Sequence, residues 1–507
     1  MESKSKEEPK PEPPPEREST TRYEVAIQGA KVPYRAVAGT YNLKDEKGKV
    51  KASLFYVAYT KEGVSDPADR PITFAFNGGP GSAAIWLHLG VLGPRRIDIG
   101  GALATLPPPY RLVDNDRSPL DVTDIVFIDP VSTGYSRPAP DQEAKEFWGV
   151  KADAESVTEF IRLWLTREKR WTSPKYLIGE SYGTTRAAAL AQVLQVRPGI
   201  YLNGIVLVSC VLYFQTIQVR PDNDLPFPLY LPSYAVTARY HELVPARGSI
   251  DALTDEVAEF ALGEYASALM RVGRLTEAER SRVLRRLAAY TGLSRDFIDR
   301  CNLRVGPLRF EKELLRSRRR TVGRFDSRIV GFDSDAAGER PENDPSYNLV
   351  QAPYSAAANH YLRAELGFEE DMPYQVLADV SPWKLVEPEE GGYLEVGSDL
   401  RGAMTKNPGL RVLLMSGYYD LATPVLAPEW TLDHIRVDPS LQGNIVKKRY
   451  EAGHMMYIHE PSLAAMRDDL VAFIRPEAGA AGAARAAGAP SGGRRPRGGP
   501  GSSRKRT

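Results

Sequence analysis

The five residues Gly179-Glu180-Ser181-Tyr182-Gly183 constrain this chain more than any other stretch. They follow an apolar run, Tyr176-Leu177-Ile178, and open a segment of helical character over residues 184–195. Glycines two places before and two places after a serine permit a sharp strand-to-helix turn that lifts the serine out of the backbone. The pattern predicts a nucleophile at Ser181. A chain with 42 glycines also produces such pentapeptides by chance, so the elbow needs support from the rest of the sequence.

Composition narrows the classes. With 66 Lys plus Arg against 65 Asp plus Glu, the net charge is +1, and no global field points to nucleic acid or an anionic membrane. The two cysteines, Cys210 and Cys301, are too few for a disulfide scaffold and lack metal-type spacing, which predicts two buried free thiols. No metal and no cofactor is expected, because dinucleotide and phosphate-loop fingerprints are absent. The uncharged run 71–94 is long enough to cross a membrane. Asn77-Gly78-Gly79-Pro80-Gly81 interrupts it, so it reads as strand, loop and helix, with no transmembrane segment. The first twenty residues carry no apolar core of signal-peptide length, which predicts a cytoplasmic protein. Periplasmic or secreted placement would require a different start.

Short apolar runs at 72–76, 125–128, 176–178, 204–209, 411–414 and 444–446 are each followed by a loop. Helical patterns separate several of them, such as 154–165 with Val157, Phe160, Ile161 and Leu165 on one face. Continuous apolar strands alternating with helices predict an α/β fold with a mostly parallel central sheet flanked by helices. A hairpin over 36–43 and 50–59 precedes it. The core is expected over 22–213 and 394–476. A largely helical cap insertion is expected over 214–393, with helices at 253–272 and 276–290. Arg316 and the arginines at 318–320 read as a solvated face of that cap. Residues 1–21 and the basic segment 477–507 read as disordered tails.

A serine nucleophile needs a base and an acid that orients it. In the α/β-hydrolase order the acid follows a late strand and the histidine follows the last one. Residues 411–416 form such a strand, and Gly417-Tyr418-Tyr419-Asp420 follows it. Residues 444–450 form the final strand, and Glu451-Ala452-Gly453-His454 follows. Asp420 and His454 are therefore the candidate acid and base, with His454 ahead of His459. An oxyanion needs two aimed donors. The N–H groups of Tyr182, just after the nucleophile, and of Gly79, in the loop after strand 72–76, are the candidates.

Five segments in this order resemble the serine carboxypeptidase family of α/β-hydrolases: Asn77-Gly78-Gly79-Pro80-Gly81-Ser82, residues 129–136, Gly179-Glu180-Ser181-Tyr182-Gly183, Ser416-Gly417-Tyr418-Tyr419-Asp420 and Gly453-His454-Met455. The resemblance implies release of a C-terminal residue from a peptide substrate through an acyl-enzyme. It implies the roles above for Ser181, His454, Asp420, Gly79 and Tyr182. It also implies that Asn77 and Glu180, helped by the Gly78 N–H, hold the terminal carboxylate. Glu180 must then be protonated, since two carboxylates repel.

Three departures go with it. Val91 stands where many members have a second Glu, which predicts a weaker upward shift at Glu180 and an optimum nearer neutral. Ser82-Ala83-Ala84 replaces Cys-Ser-Ser. Ser132 replaces a common Gly beside a pocket wall expected from Tyr135. These departures fit a bacterial-type member. The same triad also serves esterases, acyltransferases and aminopeptidases, and a fold of this kind can persist as an inactive binding protein.

Overall fold

The computed structural model describes residues 12–101, 103–385 and 392–475. The expected basic tail 477–507 lies outside the described residues. A ten-stranded sheet organises the chain. Nine of its strands, in chain order, are β1 (Glu18–Ile27), β2 (Ala30–Lys44), β3 (Val50–Lys61), β4 (Ile72–Phe76), β5 (Asp124–Ile128), β6 (Lys175–Glu180), β7 (Gly204–Val208), β8 (Arg411–Gly417) and β9 (Ile445–Tyr450). Their spatial order is β1-β2-β3-β5-β4-β6-β7-β8-β9, and the short strand Arg137–Pro138 pairs with β3. The first three strands are antiparallel, as is the β3–β5 pair. From β5 to β9 every pairing is parallel.

Alternation along the parallel strands feeds two cores. Tyr176 and Ile178 of β6, Val206 and Val208 of β7, and Leu413 and Met415 of β8 pack on one face. Leu177, Ile205, Leu207, Val412 and Leu414 pack on the other. Successive strand side chains point to opposite faces, so a sheet covered on both sides needs apolar residues at every position. That is why the strands read as unbroken runs. Helices α1 (Val150–Arg167) and α2 (Tyr182–Val196) cover one face, and a helix at Glu460–Ile474 helps cover the other.

Two expectations are corrected. The tail expected over 1–21 gives way to strand β1 from Glu18, which pairs residue by residue with β2. Glu16 just before it ion-pairs with Arg167 and accepts from the Asn42 N–H. Order here comes from pairing with the next strand and from the distant Arg167, which composition does not report. The cap expected over 214–393 also divides. Helices at Pro226–Tyr240, Ile250–Phe260 and Glu277–Thr291 surround a buried cluster of their own that includes Tyr234, Phe260, Leu287 and Phe310. The helix Pro345–His360 and the turn after it instead bury Tyr354, Tyr361 and Phe368 in the core of the main sheet. The helix expected at 253–272 is interrupted by a wider turn, Ala261–Tyr265. Cys210 is a buried free thiol as expected, whereas Cys301 is also free but only half-buried.

One buried ion triad ties the starts of the central strands together. Asp124, the first residue of β5, takes Arg70 Nε at 2.6 Å and Arg170 Nη1 at 2.7 Å. Arg70 precedes β4, Arg170 precedes β6, and all three side chains are buried. The remaining guanidinium donors bond the carbonyls of Leu120 and Arg70 and the Ser173 hydroxyl. Removing the shared carboxylate would strand two buried cations. Asp124→Ala is expected to lower the unfolding free energy by about 3–5 kcal/mol, read by urea denaturation. A loss below about 1 kcal/mol would place the triad among weakly contributing surface pairs.

Candidate active site

The candidate residues gather at the carboxyl ends of the parallel strands, where open α/β sheets leave a crevice. Ser181 lies between β6 and α2 with φ 59° and ψ −129°. A non-glycine residue rarely takes this conformation, and it costs of order 1–3 kcal/mol. The turn is enforced by packing. A Cβ on Gly179 would stand 2.2 Å from the Gly183 carbonyl oxygen, and the Ser181 N–H donates to the Val208 carbonyl of β7. The loop after β4 lies directly against this elbow, since a Cβ on Gly78 would stand 2.4 Å from the Tyr182 nitrogen. Tyr182 is the first residue of α2, where backbone N–H groups have no intrahelical acceptor. The loop is pinned from below the helix surface by Arg186 of α2, which donates to the Asn77 carbonyl oxygen at 2.5 Å and ion-pairs with buried Asp153 at 2.7 Å.

His454 follows β9 and Asp420 follows β8. The ring nitrogen Nδ1 meets Asp420 Oδ2 at 2.7 Å, and both side chains are buried. Asp420 also accepts from the N–H groups of Ala422 and Thr423 and from the Thr423 hydroxyl, at 2.7–2.8 Å. The His454 ring stacks on Phe325, 4.9 Å between centroids at 17°, and the His454 N–H donates to the Phe325 carbonyl. Burial alone pulls the imidazole's pKa down. The facing Asp420 carboxylate outweighs that, so the net direction is up.

Ser181 and His454 line one cavity of about 700 Å³, together with Asn77, Gly78, Gly79, Glu180 and Tyr182. Among the described residues no hydrogen bond joins Ser181 to the ring, a contact that commonly tightens only around substrate. Asp420 does not line the cavity and reaches it through His454. The inserted helices and the segment after them close the cavity with Arg324, Phe325, Tyr347, Leu377, Val380 and Trp383.

Glu180 lacks the second carboxylate, and it is pushed up to about 7, chiefly because it is fully buried. The His454 charge, the Tyr457 hydroxyl and Asn77 oppose that rise, and Asp420 adds to it. Desolvation thus supplies what the missing neighbour does not. Tyr135 corrects the expectation of a pocket wall. It is buried against Phe55, Phe368 and Tyr374 and does not line the cavity. Ser132 has φ 79° and accepts from the Trp148 indole N–H at 3.0 Å. Thr423, Phe325 and Tyr457 were missed by the motifs. Only Thr423 left a signal, as a hydroxyl three places after Asp420, the spacing at which side chain and backbone bond locally.

An elbow after a central parallel strand, a glycine loop against it, and an acid and a histidine after the last two strands define an α/β-hydrolase. The structure of a prohormone-processing carboxypeptidase from Saccharomyces cerevisiae has this fold, with TM-score 0.53 at 16% identity over 87% of this chain and 91% of that one. Within that class, residues 28–213 match the family model described as Serine carboxypeptidase, so the comparisons support the family expected from the motifs. Serine carboxypeptidase-like 1 of Arabidopsis thaliana is 28% identical over 204 residues, 39% of this chain and 43% of its own length. Serine carboxypeptidase-like 7 of the same plant is 28% identical over 192 residues, 35% of this chain and 40% of its own. The chain therefore spans about two fifths of the length of the curated relatives it matches. The family match contains the glycine loop and the elbow. Asp420 and His454 lie beyond it and stand on geometry.

The burial of Glu180 yields a direct spectroscopic expectation. Infrared difference spectra should show a protonated carboxyl lost with a midpoint near pH 7, and Glu180→Gln should remove that band. A Glu180 band titrating below about pH 5, in the range of an exposed carboxylate, would contradict it.

Proposed function

We propose that the chain is a serine-type carboxypeptidase that hydrolyses the C-terminal peptide bond of peptides. Ser181 acts as nucleophile, His454 as base and Asp420 as the acid that orients the ring. His454 Nε2 takes the Ser181 proton as Oγ attacks the scissile carbonyl carbon. The oxyanion forms against the N–H groups of Gly79 and Tyr182. Collapse expels the terminal residue as an amine, which takes the proton from His454. Water then enters, His454 removes its proton as the water oxygen attacks the acyl carbon, and the product acid leaves as His454 returns the proton to Ser181 Oγ.

The observation that carries this reading is a carboxyl buried one residue before the nucleophile, in the same cavity as Asn77, where burial favours its protonated form. A neutral acid can donate to a carboxylate, whereas an ionised one repels it. An ester or amide end offers no charge for such a group to hold. That distinction disfavours the esterase, acyltransferase and aminopeptidase readings, which share the triad but make no use of Glu180.

The sign of the pH dependence follows. Binding requires Glu180 protonated, and that form is lost as pH rises through about 7. Attack requires His454 neutral, and that form is lost as pH falls below its raised value. The kcat/KM profile should be a bell centred near neutral. It should be seen with N-blocked peptides bearing a free C-terminus and be nearly absent with their C-terminal amides. Equal cleavage of acids and amides, or an optimum below about pH 5, would contradict the proposal. Ser181→Ala should abolish fluorophosphonate labelling, and Asp420→Asn should slow turnover by roughly 10⁴-fold. Native protein that fails to label would point instead to an inactive binding relative.

A further inference from the structure

Glu180 has one partner that takes no part in the reaction proposed above. The Tyr457 hydroxyl donates to Glu180 Oε2 at 2.8 Å, and both side chains are buried. Tyr457 follows His454 by three residues, in the short turn Met456–Ile458, so the segment that delivers the imidazole also delivers the phenol. Its ring fills a fitted space. A Cβ on Gly90 would stand 2.4 Å from that ring and 2.8 Å from the Tyr354 hydroxyl. Glycine at this place in the chain makes room for two tyrosines beside one carboxyl. Tyr457 does not line the cavity, whereas Glu180 does. The phenol therefore meets the carboxyl on the side away from substrate.

We infer that Tyr457 is a positioning residue for Glu180, engaging Oε2 so that the proton of the neutral acid is carried on Oε1 and offered to the substrate carboxylate. This rests on the carboxypeptidase reading. A phenol suits the task because it donates a hydrogen bond without titrating in the working range. Burial and the neighbouring Glu180 push its own ionisation well above the usual value. The carboxylate-binding end then holds a single exchangeable proton. The groups facing Glu180 are His454 and Asp420 from the loops after β9 and β8, Asn77 from the glycine loop, Tyr457, and Tyr354 from the helix Pro345–His360. The Tyr457 bond favours the ionised carboxylate and so works against burial. Without it the protonated form should persist to higher pH.

The test is the pH dependence of kcat/KM for an N-blocked dipeptide and its amide, with wild type, Tyr457→Phe, Glu180→Gln and the double variant. Tyr457→Phe should move the alkaline limb of the free-acid profile up by about one pH unit. In Glu180→Gln that limb should be gone, and adding Tyr457→Phe should move nothing. Fluorophosphonate labelling reports whether each variant is folded. Should Tyr457→Phe fail to label, Gly90→Ala, which crowds the same ring, supplies the second route and should shift the limb in the same direction. An unmoved or lowered limb, or an equal loss on acid and amide at every pH, overturns the inference while the preference for free acids stands. Should wild type cleave acid and amide alike, the carboxypeptidase reading fails and takes the inference with it.

Discussion

Backbone packs on backbone where the loop after β4 crosses the elbow after β6, and the placement of the candidate groups depends on that contact. With no side chain at Gly78, the loop packs so closely that an added Cβ would stand 2.4 Å from the Tyr182 nitrogen. The same helix that begins at Tyr182 sends Arg186 back to hold the Asn77 carbonyl. One element therefore provides a free N–H, fixes the loop that offers the second, and sets Asn77 beside Glu180. The cost is a left-handed conformation at Ser181, sustained because the surrounding packing leaves no alternative.

Two carboxyls a short distance from one imidazole are treated in opposite ways. Asp420 is wrapped in donors from Ala422, Thr423 and the His454 ring, an environment for a charge that orients a base. Glu180 is buried with little beyond Tyr457 and Asn77 to compensate, an environment for a proton. Different surroundings are how one site assigns two acids separate tasks. The division follows from local surroundings, since Glu180 ends β6 and Asp420 lies in the loop after β8 of the same sheet.

Much of this was legible in the sequence. The central parallel strands are legible because both faces of the sheet are buried there, so they read as apolar runs such as Ile72–Phe76, whereas β9 at the edge carries Lys447, Lys448 and Arg449. The elbow and the strands before Asp420 and His454 are legible because turns demand particular residues. The stacking of Phe325 on His454, the phenol of Tyr457 on Glu180 and the burial of Tyr135 are contacts between segments far apart in the chain, and no local pattern encodes them. Strand β1 was hidden because its largely polar sequence gives little apolar signal and is ordered by pairing with β2. The source of the shift at Glu180 was not legible, because a missing neighbour is visible in sequence, whereas desolvation is a property of the folded surroundings.

The central claim is that Glu180 and Asn77 hold the carboxylate of a peptide whose last bond lies over Ser181. A crystal structure of the Ser181→Ala protein with an N-blocked peptide tests it most directly. The account expects the terminal carboxylate within hydrogen-bond distance of Glu180 and the Asn77 amide, with the scissile carbonyl oxygen at the N–H groups of Gly79 and Tyr182. A peptide bound with its amino terminus in the cavity, or with its carboxylate away from Glu180, would contradict it.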